Sequence, residues 1–207
     1  MQAAVAAMDS EGENTPPPPP ATYTEQLYNH LYFYGEICER STLDFVRKLR
    51  EVDMHLINDR VQQSMDVLTI PYIPIVLHIN SGGGEVFSSL SIVDTIKATK
   101  SPVYSVIEGI AASGASLVAM SCSKRFMRPN AVMLVHEVSG GMYGSYERLQ
   151  DAQRLIDMVQ SKLVKFYVRH SKLSEKEIIK RLKHDWIMDA NECLADGFVD
   201  EIGPSTL

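Results

Sequence analysis

The sequence predicts an α/β domain, a mainly parallel sheet covered by helices. Two observations carry this. Short apolar runs that read as strands alternate with amphipathic stretches of about ten residues or more, which is the βαβ pattern. Glycine-rich or small-residue turns stand at the strand-to-helix junctions, as in "INSGGGEV" and "GIAASGASLVAM". The chain has 207 residues, 45% of them hydrophobic and 22% charged, enough for one domain with a sizeable core.

Residues 1–22 read as a separate tail. Acidic and polar residues lead to Thr15 and the run Pro16 to Pro20, which disfavours helix and strand alike. A domain over 23–207 follows. "YTEQLYNHLYFYGEI" reads as a helical turn entering a strand, with Leu31, Phe33 and Tyr34 apolar and Gly35 closing it. "STLDFVRKLREVDMHLINDRVQQSMDVL" has helical spacing at Leu43, Val46, Leu49, Val52 and Leu56, with Ser41 or Thr42 as its cap.

"IPIVLHIN" is a strand from Ile73 to Asn80, and a helix from Val86 to Thr99 follows the "SGGGE" loop. "SPVYSVIEG" is the next strand, with a helix opening near Ser113. "RFMRP" and "AVMLVHE" are two more strands. Helices are expected over 145–170, 174–183 and 190–197, and "FVDEIG" closes the domain as a strand and turn.

The net charge of −6 argues against a nucleic-acid partner, which needs a basic face. No apolar run is long enough to span a bilayer, and the N-terminus lacks the basic region of a signal peptide. The three cysteines, Cys38, Cys122 and Cys193, have no metal-ligand spacing and read as buried, reduced bystanders. A cytosolic setting is expected, in the cell or in an infected host.

Four stretches carry chemistry together. The glycines of "INSGGGEV" let backbone N–H groups approach a ligand, although neither GxGxxG nor GK[ST] is present. Ser113 ends a strand and begins a helix, with Ala111, Ala112, Gly114 and Ala115 leaving space around it. His136 ends the run Val132 to Val135 beside a glycine turn. Asp185 precedes Trp186 and Ile187, an apolar pair able to bury it in part; His184 and Asp189 are its neighbours. A hydroxyl needs a base to become a nucleophile, and the base needs an orienter. The tetrahedral intermediate needs N–H donors.

In "INSGGGEV", "GIAASGASL", "KRFMRPNAVMLVHEVSGG" and "DWIMDANECLADGFVDEI" the chain resembles the ClpP family, the proteolytic subunits of the Clp protease. The resemblance runs from Tyr32 to the C-terminus. It departs at Gly82, where the family usually has proline, and at "AASGAS". A counterpart of the family's basic axial-pore segment is also missing.

The resemblance implies a ClpP/crotonase-like spiral of ββα units with a protruding handle helix. It assigns Ser113 as nucleophile, His136 as general base and Asp185 as its orienter. The backbone N–H groups of Gly84 and Gly114 become the oxyanion donors. The turn at Gly140 and Gly141 and the helix after it match the family's strand and handle helix, where an extended substrate is held, and Ser116 is left to helix packing. It further implies a homo-oligomer of stacked heptameric rings, a tetradecamer, and a separate AAA+ unfoldase supplying unfolded protein. No metal and no cofactor are expected. Two other roles on the same scaffold are a viral prohead or maturation protease and a catalytically silent ring subunit. A crotonase-like acyl-CoA enzyme would share the fold, but not the Ser/His/Asp set.

Overall fold

The computed structural model describes residues 23–63 and 70–203; the expected tail, residues 1–22, lies outside them. The first elements correct the expected helical turn. β1 (Tyr23–Leu27) and β2 (His30–Ile37) form an antiparallel hairpin with Leu27 opposite His30. Tyr28 and Asn29 make the turn, and Tyr28 takes φ 54°, a left-handed conformation that suits a two-residue hairpin. Gly35 does not close β2. Register against the next strand slips between Tyr34 and Glu36, and the strand continues to Ile37.

α1 (Glu39–Gln63) begins ahead of Ser41. Ser41 still organises the entry, because its Oγ accepts from the Cys38 N–H at 2.9 Å and donates to the Glu36 carbonyl at 2.8 Å. The buried face is Phe45, Leu49, Val52 and Leu56. Leu43, expected on that face, is 63% exposed, because the stripe tracks Phe45 instead. The predicted continuation over 64–68 lies outside the described residues. Cys122 and Cys193 are buried as expected; Cys38 is only partly so.

The strand–helix alternation then follows the sequence closely. β3 (Ile75–Gly84), α2 (Val86–Ala98), β4 (Val103–Ala112), α3 (Gly114–Ser121), β5 (Lys124–Met127) and β6 (Val132–Val135) come in order. They lead to α4 (Tyr146–His170), α5 (Glu175–Leu182), β7 (Trp186–Met188), α6 (Ala190–Asp196) and β8 (Glu201–Ile202). The sheet runs β1-β2-β3-β4-β5-β8, and every pair after the hairpin is parallel along this path. β4 forks: Tyr104–Ile107 pair with β5, whereas Ile110–Ala112 pair with β6. β7, which the sequence does not announce, adds antiparallel to β6.

Ile75, Leu77 and Ile79 of β3 join the main core under the helices, while Val76 packs on the opposite face with Val106 and Phe126. A polar network shares that second face. The Glu108 carboxylate accepts from Tyr34 at 2.5 Å, from His78 Nδ1 at 3.0 Å and from Arg128 at 3.1 Å. Burial alone would raise the Glu108 pKa, but these hydrogen bonds outweigh it and hold the carboxyl below its usual range.

The first turns of α4 stand out from the body. Tyr146 and Leu149 are exposed, and Ala152 is the first buried residue of the helix. At the other end, Arg125 gathers three segments. Its guanidinium pairs with Asp200 through two bonds of 3.0 and 2.5 Å, and donates to the carbonyls of His170 at 2.7 Å and Gly197 at 2.9 Å. Charge-assisted bonds of this kind are worth about 1.5–3 kcal/mol each and leave costly orphans when removed. Arg125→Ala is expected to lower the unfolding free energy by roughly 2–4 kcal/mol in denaturant titration.

Candidate active site

The end of β4 sets the site. Ala112 is its last residue, and Ser113 turns the chain directly into α3 with φ 52° and ψ −122°. A side-chain-bearing residue in that region carries roughly 1–3 kcal/mol of strain, which neighbouring contacts must offset. One of them is the bond from the Ser113 N–H to the Leu134 carbonyl at 2.8 Å, which docks the turn onto β6.

The end of β3 lies against the same turn, and only glycine permits this. A Cβ on Gly83 (φ +89) would sit 2.4 Å from the Ala112 carbonyl oxygen and 2.9 Å from the Ser113 Cβ. On Gly84 (φ +148) it would sit 2.0 Å from the Ile37 carbonyl oxygen. At Gly82 nothing lies within 4 Å. The three glycines are therefore not equivalent. Gly83→Ala is expected to lower the unfolding free energy by roughly 2–4 kcal/mol, because the Ala112 carbonyl and the Ser113 turn must shift, while Gly82→Ala changes it by less than about 1 kcal/mol. Denaturant titration of the two variants, side by side, checks this.

Two amides bear on the cavity beside the turn. The Glu85 N–H donates to the Ile37 carbonyl at 2.9 Å. Successive amides of an extended strand alternate sides, so the Gly84 N–H points away from β2. Gly114 is the first residue of α3, and first-turn amides have no partner inside their helix. Both glycines line a cavity of about 170 Å³ with Ser113, His136, Leu117, Leu163 and Tyr167.

His136 follows β6 directly. β6 and β7 pair Met133 with Met188, Leu134 with Ile187 and Val135 with Trp186. One further step of that register sets His136 opposite Asp185. A second, open cleft of about 470 Å³ holds both residues. His136 thus stands between a cavity shared with Ser113 and a cleft shared with Asp185.

Among the described residues, no hydrogen bond joins Ser113 to His136 or His136 to Asp185. His136 Nδ1 lies instead 2.6 Å from the Glu137 carbonyl oxygen. A carbonyl only accepts, so Nδ1 is the donor in this bond; in the neutral ring that leaves Nε2 as the acceptor, the tautomer a general base needs.

Asp185 is exposed, contrary to the expected partial burial by Trp186 and Ile187. Strand alternation explains this. Trp186 turns inward against Phe198, at 5.3 Å between ring centroids, whereas Ile187 is 60% exposed and Asp185 shares its face. Asp189 is the N-cap of α6, accepting from the Glu192 N–H at 2.8 Å in a capping box. His184 is exposed.

Gly140 and Gly141 are exposed as well, and residues 136–145 form no strand. Among the described residues, no strand lies alongside to take their backbone bonds. The segment is held through the bonds from the Glu137 N–H to the Leu182 carbonyl at 3.0 Å and from the Val138 N–H to Gln160 Oε1 at 2.9 Å. Ser116 is buried as expected. Its partner, Tyr167 of α4, is a wall of the cavity that no local sequence signal identifies. Among the described residues, no group of three His, Cys, Asp or Glu is placed to hold a metal. No described helix is long and apolar enough to cross a membrane.

A family model described as Clp protease matches residues 40–206. The chain belongs to the Clp protease family. The ATP-dependent Clp protease proteolytic subunit of Streptococcus mutans is 41% identical over 132 residues, covering 62% of this chain and 67% of that protein. The protein of the same name from Streptococcus suis is 36% identical over 137 residues, covering 64% and 69%. A solved structure of a point mutant of ClpP1 from Listeria monocytogenes superposes with a TM-score of 0.71, covering 86% of this chain and 93% of that one. At 24% identity that likeness speaks for the fold, and it bears out the ClpP-like architecture. The Clp protease match takes in Gly84 at the end of β3, Ser113 just ahead of α3, His136 just after β6 and Asp185 just before β7.

Proposed function

We propose that this Clp protease family member is a serine endopeptidase with Ser113 as nucleophile, His136 as general base and Asp185 as orienter. The observation that carries the reading is the strained Ser113 turn, on a cavity that Gly84, Gly114 and His136 also line. Ser113 Oγ attacks the scissile carbonyl and His136 Nε2 takes its proton. The two amides receive the oxyanion, each donor being worth on the order of 3–4 kcal/mol. His136 then gives the proton to the leaving amine, and water attacks the acyl-enzyme by the same route. In the working state the imidazole leaves the Glu137 carbonyl, and Nδ1–H donates to Asp185.

The exposed backbone around Gly140 and Gly141 suits an extended peptide, held by strand addition. The substrate class is therefore unfolded protein. Relatives bear the name of the proteolytic subunit of an ATP-dependent protease. We extend this to an assembly of several copies of this chain served by a separate ATP-driven unfoldase. The present bond from His136 to Glu137 favours one second reading, a ring subunit whose triad stays apart. Fluorophosphonate labelling of the intact oligomer, run beside a fluorogenic-peptide assay, decides between them. An adduct on Ser113 with peptide hydrolysis is expected; absence of both would favour the silent subunit.

A further inference from the structure

A buried pair of hydroxyls behind Ser113 has no part in the steps above. Ser116 Oγ lies 2.6 Å from the Ser113 carbonyl oxygen and 2.8 Å from the Tyr167 hydroxyl. Ser116 is 0% exposed and Tyr167 2%. The directions of these bonds follow from the chemistry. A carbonyl oxygen only accepts, so Ser116 spends its single hydroxyl proton on Ser113. The Tyr167 hydroxyl must then be the donor to Ser116 Oγ. Burial pushes the Tyr167 pKa up to about 12, so the proton stays available across the working range. The Ser116 N–H also donates to the Ser113 carbonyl, at 3.0 Å, so that oxygen accepts two bonds.

The Ser113 carbonyl belongs to the same peptide plane as the Gly114 N–H. That bond is trans, since the described chain holds no cis peptide. In a planar trans peptide the C=O and N–H vectors are antiparallel, so fixing one fixes the other. The turn is strained and would otherwise relax by rotating this plane. We propose that Tyr167 and Ser116 act as positioning residues that aim the Gly114 amide at the developing oxyanion. Donors linked in series also polarise one another, which strengthens the last N–H in the chain. The inference rests on the oxyanion role proposed above for Gly114.

The test compares Ser116→Ala, Ser116→Thr and Tyr167→Phe with the wild-type oligomer, matched for particle size. Ser116→Ala and Tyr167→Phe are expected to lower kcat about 10- to 100-fold with KM unchanged, less than loss of a whole oxyanion donor. Affinity for a peptide aldehyde, whose adduct carries the oxyanion, is expected to fall by a similar factor. Ser116→Thr, which keeps the hydroxyl, restores both. Unchanged kcat in both variants would overturn the inference, as would a kcat loss with undiminished aldehyde affinity, which a merely structural role gives. If Ser116→Ala fails to fold, Tyr167→Phe, lacking a single oxygen, decides alone. Labelling of wild-type Ser113 is read separately: without an adduct the site itself fails, whereas an adduct with unaltered variants removes the aiming role only.

Discussion

Ser113→Ala is expected to lower peptide hydrolysis by at least about a thousandfold while leaving fold and assembly intact. The magnitude follows from what remains. Without Oγ no acyl-enzyme forms, and the Gly84 and Gly114 amides can assist only a direct attack by water. Little stability is at stake, because Ser113 Oγ makes no hydrogen bond among the described residues. Alanine carries the same Cβ into the same backbone, so the strain at φ 52° is unchanged and the stability shift stays within about 1 kcal/mol. The check is a steady-state assay on both proteins, with particle size and thermal midpoint measured alongside. Should Ser113→Ala remain active and Ser116→Ala abolish the reaction, the nucleophile has been misassigned.

Asp185→Asn is expected to lower kcat by roughly ten-thousandfold at neutral pH. Asparagine can offer an N–H to His136 Nδ1, which moves the imidazole proton to Nε2 and leaves no base facing the serine. Asp185 is exposed and supports no packing in this chain, so the thermal midpoint is expected to hold. The competing contact makes the experiment sharp. The Glu137 carbonyl also fixes a protonated Nδ1. If Asp185→Asn keeps near wild-type activity, that carbonyl, and not the carboxylate, orients the base.

How much of this was legible beforehand depends on how local each signal is. Ser113 is legible because small residues crowd a strand-to-helix junction, and the structure puts the turn there. Gly83 and Gly84 are legible as close-approach glycines, but nothing in the run "SGGG" separates them from Gly82, which meets no neighbour. The hairpin is missed because its left-handed residue is Tyr28 rather than a glycine or asparagine. β7 is missed because three residues are too few to display alternation. Its absence hides the register that sets Asp185 opposite His136, which the sequence reaches only through family likeness. Tyr167 contacts Ser116 across 51 residues, and on the apolar stripe of α4 it reads as ordinary core.

The positive φ at Ser113 bears on how such a chain can change over generations. Glycine would occupy that conformation freely and make the domain sturdier. Selection for robustness alone would therefore erase the side chain; under the role proposed for Ser113, the hydroxyl is kept at the cost of a weaker fold.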